Sequence, residues 1–357
     1  MNDSSAFFVC VMAGGSGERF WPMSRARLPK HLLKLFSERT LLEETVRRIG
    51  TAVPRGNIFV LTNEAQLPGT RRALQGLVPE AQIIAEPAKR DTAPAAALAT
   101  ALVRARAGDA ATLALLPADA FIAEGAVFEA QLGVALREAA GGNALLTFGV
   151  KPAFPATAFG YLELEATVGR KLGAFTIRKA RRFVEKPDQA TAEKYVAGGN
   201  YVWNAGMFVW RVAAFLAEAD AHAPELATFI REFPAGDFGG FIAQRFPALP
   251  KISVDYAIME KARSVETLLA EFDWDDVGLW TALPKHLPAD AAGNAVRGAV
   301  VATGATNNIA VSNGRVIALC GVKDLVVVET ADAILVCHRD AVQDIKKLTA
   351  LLPKELL

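Results

Sequence analysis

Between positions 14 and 30 the sequence sets bare backbone beside positive charge. Gly14, Gly15, Ser16 and Gly17 follow closely on the apolar run FFVCVM (7–12), and Arg19, Arg25, Arg27 and Lys30 come next, with Glu18 the one acid among them. A glycine-rich turn after a strand lets backbone N–H groups approach phosphate oxygens without Cβ interference. Fixed cations beside it suit the charge of a polyphosphate. A tight turn with solvated basic residues is the structural alternative. Two familiar nucleotide loops are excluded. The chain has no G-x-x-x-x-G-K-[ST], and the frame GSGERF puts Phe20 where a dinucleotide fingerprint needs its third glycine. Trp21-Pro22 also stops a helix from starting at once, so the loop is expected to run on with its cations.

The elements that must hold this loop are legible in part. Strand-length apolar runs, FFVCVM (7–12), NIFVLT (57–62), AQIIAE (81–86), TLALLP (112–117) and NALLTFGV (143–150), alternate with helical patterns. This predicts an α/β fold: a Rossmann-like, mostly parallel mixed sheet with helices on its faces. Thr40 and Glu43 form a T-x-x-E capping box before LLEETVRRI, Gly50 ends that helix, and Thr92 is expected to cap the alanine-rich helix after Asp91. From about 155 to 210, GYLELEA, GAFTIRKARRFVEK and WNAGMFVW predict an insertion or edge extension of the sheet over its crevice. The stretch 282–294, rich in Pro, Ala and Gly, looks like a linker. Beyond it, short β-branched pieces broken by Gly, Asn and Asp predict a small β-rich, β-helix-like domain without a strict repeat. DAVQDIKKLTALL closes the chain as an amphipathic helix. The expected division is 1–285 and 290–357.

Composition limits the function classes. Lys and Arg number 39 against 38 Asp and Glu, a net charge of +1, so no global field is available for nucleic acid and anion binding must be local. The run AFFVCVM lacks a basic flank and falls far short of the ~20 residues a membrane span needs, so a soluble, cytoplasmic protein with no membrane partner is expected. Cys10, Cys320 and Cys337 stand in apolar contexts and read as buried thiols. The four histidines show no metal-ligand spacing, which argues against zinc.

The stretch AGGSGERFWPMSRARLPKHLL resembles the signature of sugar-1-phosphate nucleotidylyltransferases, and its Trp-Pro-x-Ser-Arg portion resembles the mannose-1-phosphate guanylyltransferases among them. The resemblance continues in order through EPAKRDTAPA (86–95), LLPAD (115–119), FVEKP (183–187), NAGMFVW (204–210), SVDYAIMEK (253–261) and WDDVGLW (274–280), covering nearly all of the chain. It implies the nucleotidyltransferase fold and a reaction in which the phosphate of mannose 1-phosphate attacks the α-phosphorus of GTP, giving GDP-mannose and pyrophosphate with Mg2+ assistance. Departures from the common pattern are Glu18, Ala120, Asp91, and Ala158 in TAFGY (157–161).

The same resemblance distributes roles. Arg19 and Lys30 become the catalytic cations beside the phosphate loop Gly14, Gly15, Ser16 and Gly17, while Arg25 and Arg27 are as well explained by structural pairing. Glu86, Arg90 and Thr92 are expected near the base. Gly160, Glu185, Lys186 and Asn204 are expected at the sugar phosphate, where a carboxylate accepts from hydroxyls and an ammonium meets phosphate. Asp119, at the end of TLALLP, and Asp276 match the acidic positions used at the metal. Asp275 should face away, because successive residues of an extended segment point opposite ways. Met207, Phe208, Val209 and Trp210 read as core, and Trp203 and Trp274 as packing.

Two other readings stay open: a relative that uses another NTP or hexose 1-phosphate, and a non-catalytic subunit that senses GDP-sugars. A dehydrogenase is opposed by the missing third glycine. The β-rich tail carries none of the chemical motifs and is expected to serve stability or subunit contact, with a homo-oligomer left open. A chain ending at 357 is too short for the isomerase domain that some members carry, so a monofunctional enzyme is expected.

Overall fold

Apolar runs of the first half of the chain make five strands of one large sheet. In the computed structural model, which describes residues 6–357, these are β1 (Phe7–Met12), β2 (Ile58–Asn63), β3 (Ile83–Glu86), β4 (Thr112–Pro117) and β5 (Leu145–Val150). β1 pairs in parallel with both β2 and β4, and β2 with β3. Side chains alternate across the strand: Phe8 and Cys10 enter the core under helix Thr92–Ala107, and Val9 and Val11 the core under helices Leu41–Ile49 and Gly125–Gly141.

The paired segments expected over the crevice divide. β6 (Gly160–Leu164), β7 (Arg170–Leu172) and β8 (Phe175–Glu185) do extend the edge, but β9 (Tyr201–Arg211) runs antiparallel between β4 and β5 in the middle of the sheet. Its sequence explains the place: Met207, Phe208, Val209 and Trp210 are all buried, and a strand apolar on both faces needs cover on both. A further strand, β10 (Val265–Leu269), joins β5 to β8; Glu266 and Thr267 break its apolar run and hide it in the sequence.

Helix starts follow local chemistry. The capping box forms, with Thr40 Oγ1 accepting from Glu43 N (3.1 Å) and Glu43 accepting from Thr40 N (2.8 Å). At the alanine-rich helix the expected cap is corrected. Asp91 is the N-cap and accepts from Thr92 N at 2.8 Å, while the Thr92 hydroxyl accepts from Val254 N at 2.9 Å. Pro94 lacks one of the two N–H groups that a Thr92 cap would use.

After residue 294 the chain winds into a parallel β-helix. β11 (Ala295–Arg297), β13 (Ile309–Val311) and β15 (Leu325–Glu329) stack in parallel, β12 (Val300–Thr303) and β14 (Ile317–Cys320) form a second face, and β16 (Ile334–His338) closes antiparallel on β15. Its coils are unequal: Ala295 lies beside Ile309, and Ile309 beside Val326. That is why no strict repeat shows in the sequence. Fully buried Asn294 and Asn308 tie successive coils, Asn308 N and Nδ2 donating to Asn294 Oδ1 (3.0 and 2.9 Å) and Asn308 Oδ1 accepting from Leu325 N (2.9 Å). The period-2 pattern of β14 turns Cys320 outward, so of the three expected buried thiols only Cys10 is buried; Cys337 is half-buried.

The stretch read as a linker is anchored. Trp280 and Leu283 are buried in one core with Phe20 and Trp21 of the N-terminal loop and Ile309 and Val326 of the β-helix. Trp280 Nε1 donates to the Trp21 carbonyl (3.2 Å), Trp21 Nε1 to the Leu356 carbonyl (2.9 Å), and Arg25 pairs with Asp332 (3.0 Å). The closing helix is shorter than its amphipathic pattern, spanning Ile345–Thr349 after a 3-10 segment. Among the described residues no helix is long and apolar enough to cross a membrane.

Asn308→Ala removes the hydrogen bonds that tie two coils and leaves Leu325 N and the Val322 carbonyl short of their side-chain partner. A loss of about 2–4 kcal/mol is expected, read as an earlier urea midpoint at an unchanged m-value.

Candidate active site

Gly17 cannot be any other residue. Its φ is +61°, and a Cβ there would stand 2.3 Å from Lys30 Cβ, so the turn and the lysine fit only because the side chain is absent. The turn continues as a short 3-10 segment, Glu18–Phe20, and no α-helix follows until Leu41. Arg19 is exposed at the cavity this turn forms, and Ser16 Oγ donates to Glu18 Oε1 at 3.1 Å. Arg25 leaves the cradle: its guanidinium donates to the Pro22 and Ser24 carbonyls and pairs with Asp332.

Lys30 is only 6% exposed, and a buried ammonium must be paired. Its Nζ lies 3.0 Å from Asp119 Oδ2 and donates to the backbone carbonyl of Asp276. The two acids meet because Phe121 and Asp275 form an isolated antiparallel bridge, with hydrogen bonds of 2.8 and 3.0 Å. Burial pushes the Asp119 carboxyl up, but the charge and hydrogen bond of Lys30, with His31, outweigh it and hold Asp119 below the usual carboxylate range. The Asp276 carboxyl stands above that range: burial raises it, Lys30 opposes, and Asp275 and Asp119 add to the rise. His31 is buried beneath, and burial, opposed by Asp119 and aided least by Lys30, brings its imidazole down to about 4, so it is neutral at physiological pH.

Asp275 and Asp276 do diverge. Asp276 lines the cavity with Arg19, Lys30 and Asp119. Asp275 is buried the other way, beside Lys285 (3.1 Å) and His286 (3.2 Å), and accepts from Val277 N (2.8 Å). That last bond holds Val277 at φ +48°, a conformation β-branched residues avoid. Among the described residues no group of three or more His, Cys, Asp or Glu forms a metal cage. Two carboxylates on one open cavity instead suit a hard cation that brings phosphate oxygens and water as its other ligands.

A second cavity, of about 330 Å3, lies on the other side of the loop and shares Asp119 with the first; Gly14, Gly15, Glu86, Arg90 and Thr92 line it. The Glu86 carboxyl is raised by burial to about 8. Arg90 donates to the Pro247 carbonyl and Thr92 is engaged by Val254 N, so of the three residues expected here Glu86 alone offers an uncommitted acceptor.

The residues expected at the sugar phosphate also gather. Gly160 pairs with Glu185 across β6 and β8, and a Cβ on Gly160 would lie 2.5 Å from Glu185 Oε2. Lys186, at φ +49°, turns its Nζ back to Glu185 Oε1 at 2.6 Å. Asn204 is differently employed: its Oδ1 accepts from Thr147 Oγ1 (2.7 Å) and Gly206 N (3.2 Å), and its Nδ2 donates to Asp255 Oδ1 (3.1 Å). Asn204 therefore aims Asp255, whose carboxyl is raised to about 7 by burial and then by Glu185. Asp255 lies in SVDYAIMEK. The signal was an acid at the start of an apolar stretch, and the structure turns that stretch into a π-helix, Asp255–Met259, a distortion frequent at functional sites. Trp203 and Trp274 pack edge-to-face on Phe159 of the TAFGY turn.

Comparison with known proteins matches residues 9–292 to the Nucleotidyl transferase family and residues 298–352 to the MannoseP isomerase/GMP-like beta-helix domain. The chain is 37% identical to the xanthan biosynthesis protein XanB of Xanthomonas campestris pv. campestris over 95% of its own length and 72% of that protein. It is likewise 37% identical to a mannose-1-phosphate guanylyltransferase of Escherichia coli, over 94% of this chain and 72% of that one. Among solved structures, one from Thermus thermophilus, described as a mannose-1-phosphate geranyltransferase, superposes with a TM-score of 0.87 at 33% identity, over 97% of this chain and 99% of that one.

Glu86 and Asp255 hold their protons more tightly folded than unfolded, so each lowers stability as pH rises from its ordinary value, near 4.5 and 3.8, to about 8 and 7. Glu86→Gln and Asp255→Asn are each expected to gain stability relative to the parent across that window and to hold a constant difference above it. Urea denaturation at a series of pH values checks this.

Proposed function

The chain belongs to the nucleotidyl transferase family, and we propose that within it this protein transfers GMP from GTP to mannose 1-phosphate, giving GDP-mannose and pyrophosphate. The observation that carries the reading is the buried Lys30, held between Asp119 and Asp276 directly under the glycine turn. Its relatives' names supply the sugar and the base; the cavity supplies what any such transfer needs.

Backbone N–H groups of Gly14 to Gly17 and the Arg19 guanidinium hold the polyphosphate, and Lys30 sets positive charge where the α-phosphate must lie. Asp119 and Asp276 would hold Mg2+, which when bound neutralises phosphate charge. Lys186 meets the sugar phosphate, and Glu185 and Asp255 accept from sugar hydroxyls. Guanine presents adjacent N1–H and N2–H donors that a carboxylate accepts as a pair, and their arrival favours the ionised form of Glu86, which burial otherwise keeps protonated near neutrality. An oxygen of the sugar phosphate attacks the α-phosphorus, the bond to the bridging oxygen breaks, and pyrophosphate leaves. The attacking oxygen is already ionised at neutral pH, so no general base and no protein nucleophile are needed. The residues position and neutralise.

Pyrophosphate release measured across a matrix of NTPs and hexose 1-phosphates tests the reading. GTP with mannose 1-phosphate is the expected best pair, and a clear preference for dTTP or UTP with glucose 1-phosphate would replace it. In the same assay Lys30→Ala should lower kcat/KM by roughly 10²-fold or more. Asp119→Asn and Asp276→Asn should each remove most Mg2+-dependent turnover, with far from additive effects in the double variant. Asp275→Asn should keep its Mg2+ dependence and lose stability instead, because Asp275 holds Val277 and His286 rather than the ion.

A further inference from the structure

We propose that Lys346, delivered from the β-helix domain at the far end of the chain, binds the terminal phosphates of the nucleotide and the pyrophosphate released from them. This rests on the guanylyltransferase reading and adds to it a residue that lies outside every catalytic motif.

The cavity of about 430 Å3 that contains Gly17, Arg19, Lys30, Asp119 and Asp276 is also lined by Lys346. Lys30 is already paired with Asp119. Among the described residues neither Arg19 nor Lys346 has an ion-pair partner, so these two are the cations left free in this cavity to meet an incoming anion. Glu18 opens onto the same space and repels phosphate; Lys346 lines both this cavity and the neighbouring one of about 360 Å3, as Glu18 does, and offsets its charge.

Position along the nucleotide follows from the order of the cavities. Glu86 and Arg90 lie in the cavity that meets this one at Asp119, whereas Lys346 stands where this one meets the neighbouring cavity of Trp21 and Arg25, which shares no residue with theirs. A nucleotide with its base beside Glu86 and its α-phosphate at Lys30 therefore points its remaining phosphates toward Lys346.

The lysine is held there by packing. Ile345 and Thr349 on the same short helix are buried, Ile345 in the core that contains Phe20 and Trp21, and the Trp21 indole donates to the Leu356 carbonyl beyond it. The adjacent Lys347 points elsewhere: its side chain is 84% exposed and pairs with Asp344 at 2.7 Å. It is the internal control.

The test compares Lys346→Ala, Lys346→Arg and Lys347→Ala in the full chain, reading the inhibition constant of inorganic pyrophosphate, the KM of each substrate and the melting temperature. Lys346→Ala should weaken pyrophosphate inhibition and raise the KM for GTP about tenfold, the scale of one lost charge-assisted contact, with the KM for mannose 1-phosphate and the melting temperature unchanged. Lys346→Arg should retain most of the affinity and Lys347→Ala all of it. The proposal is overturned if Lys346→Ala behaves like Lys347→Ala, or if both KM values rise together with a fall in melting temperature. Failure of the underlying reading would show separately, as a parent protein without turnover of GTP and mannose 1-phosphate. Calorimetric titration of inorganic pyrophosphate into the parent and Lys346→Ala proteins would then still decide whether Lys346 holds it.

Discussion

An ammonium group taken out of water must be matched, and Lys30 is taken almost wholly out of water. Its partners come from segments far apart in the chain: the Asp119 carboxylate after β4 and the Asp276 carbonyl after β10. Both must stay where they are for the ammonium to stay matched. The glycine turn above it has no freedom either, since a side chain at position 17 would collide with it. One buried cation thus fixes the relative positions of the glycine turn and the two acids.

Holding that arrangement requires a scaffold on the far side of the loop, and the β-helix supplies it. Residues 20 and 21 are cored between Trp280 and the inner strands of the β-helix, with indole-to-carbonyl hydrogen bonds on both sides. A domain without chemical motifs of its own therefore shapes the loop that has them. The sheet contributes in the same way from the other side. With β9 antiparallel between β4 and β5, Asn204 is set beside Gly149 of β5, and its amide holds the Asp255 carboxyl.

Charge is handled differently in different parts of the site. Around Lys30 an acid is held ionised by its cation, whereas Glu86 and Asp255, buried without a full partner, keep their protons near neutrality. Groups left in that state gain most when a ligand brings the donors or cations they lack.

Much of this was legible in the chain itself. The strand runs of the first half, the capping box at Thr40 and Glu43, and the glycine turn with its cations are local patterns, fixed by side-chain period, hydrogen-bond chemistry and the missing Cβ. The family resemblance singled out Asp276, and strand alternation added only that Asp275 should point the other way. What local pattern could not carry was anything decided by a distant partner. Asp91 displaced Thr92 as cap because Val254 claims the threonine hydroxyl. β9 went to the middle of the sheet because both of its faces found cover, β10 was hidden by its polar residues, and Cys320 faces out because the coil's register turns it out. Asn204 and Lys346 took their roles from neighbours that no spacing announces. The sequence by itself determined which groups exist and how each short segment folds, since those depend on covalent geometry and near neighbours. Tertiary structure decided which groups face one another, because burial makes every polar atom find its partner wherever in the chain that partner lies.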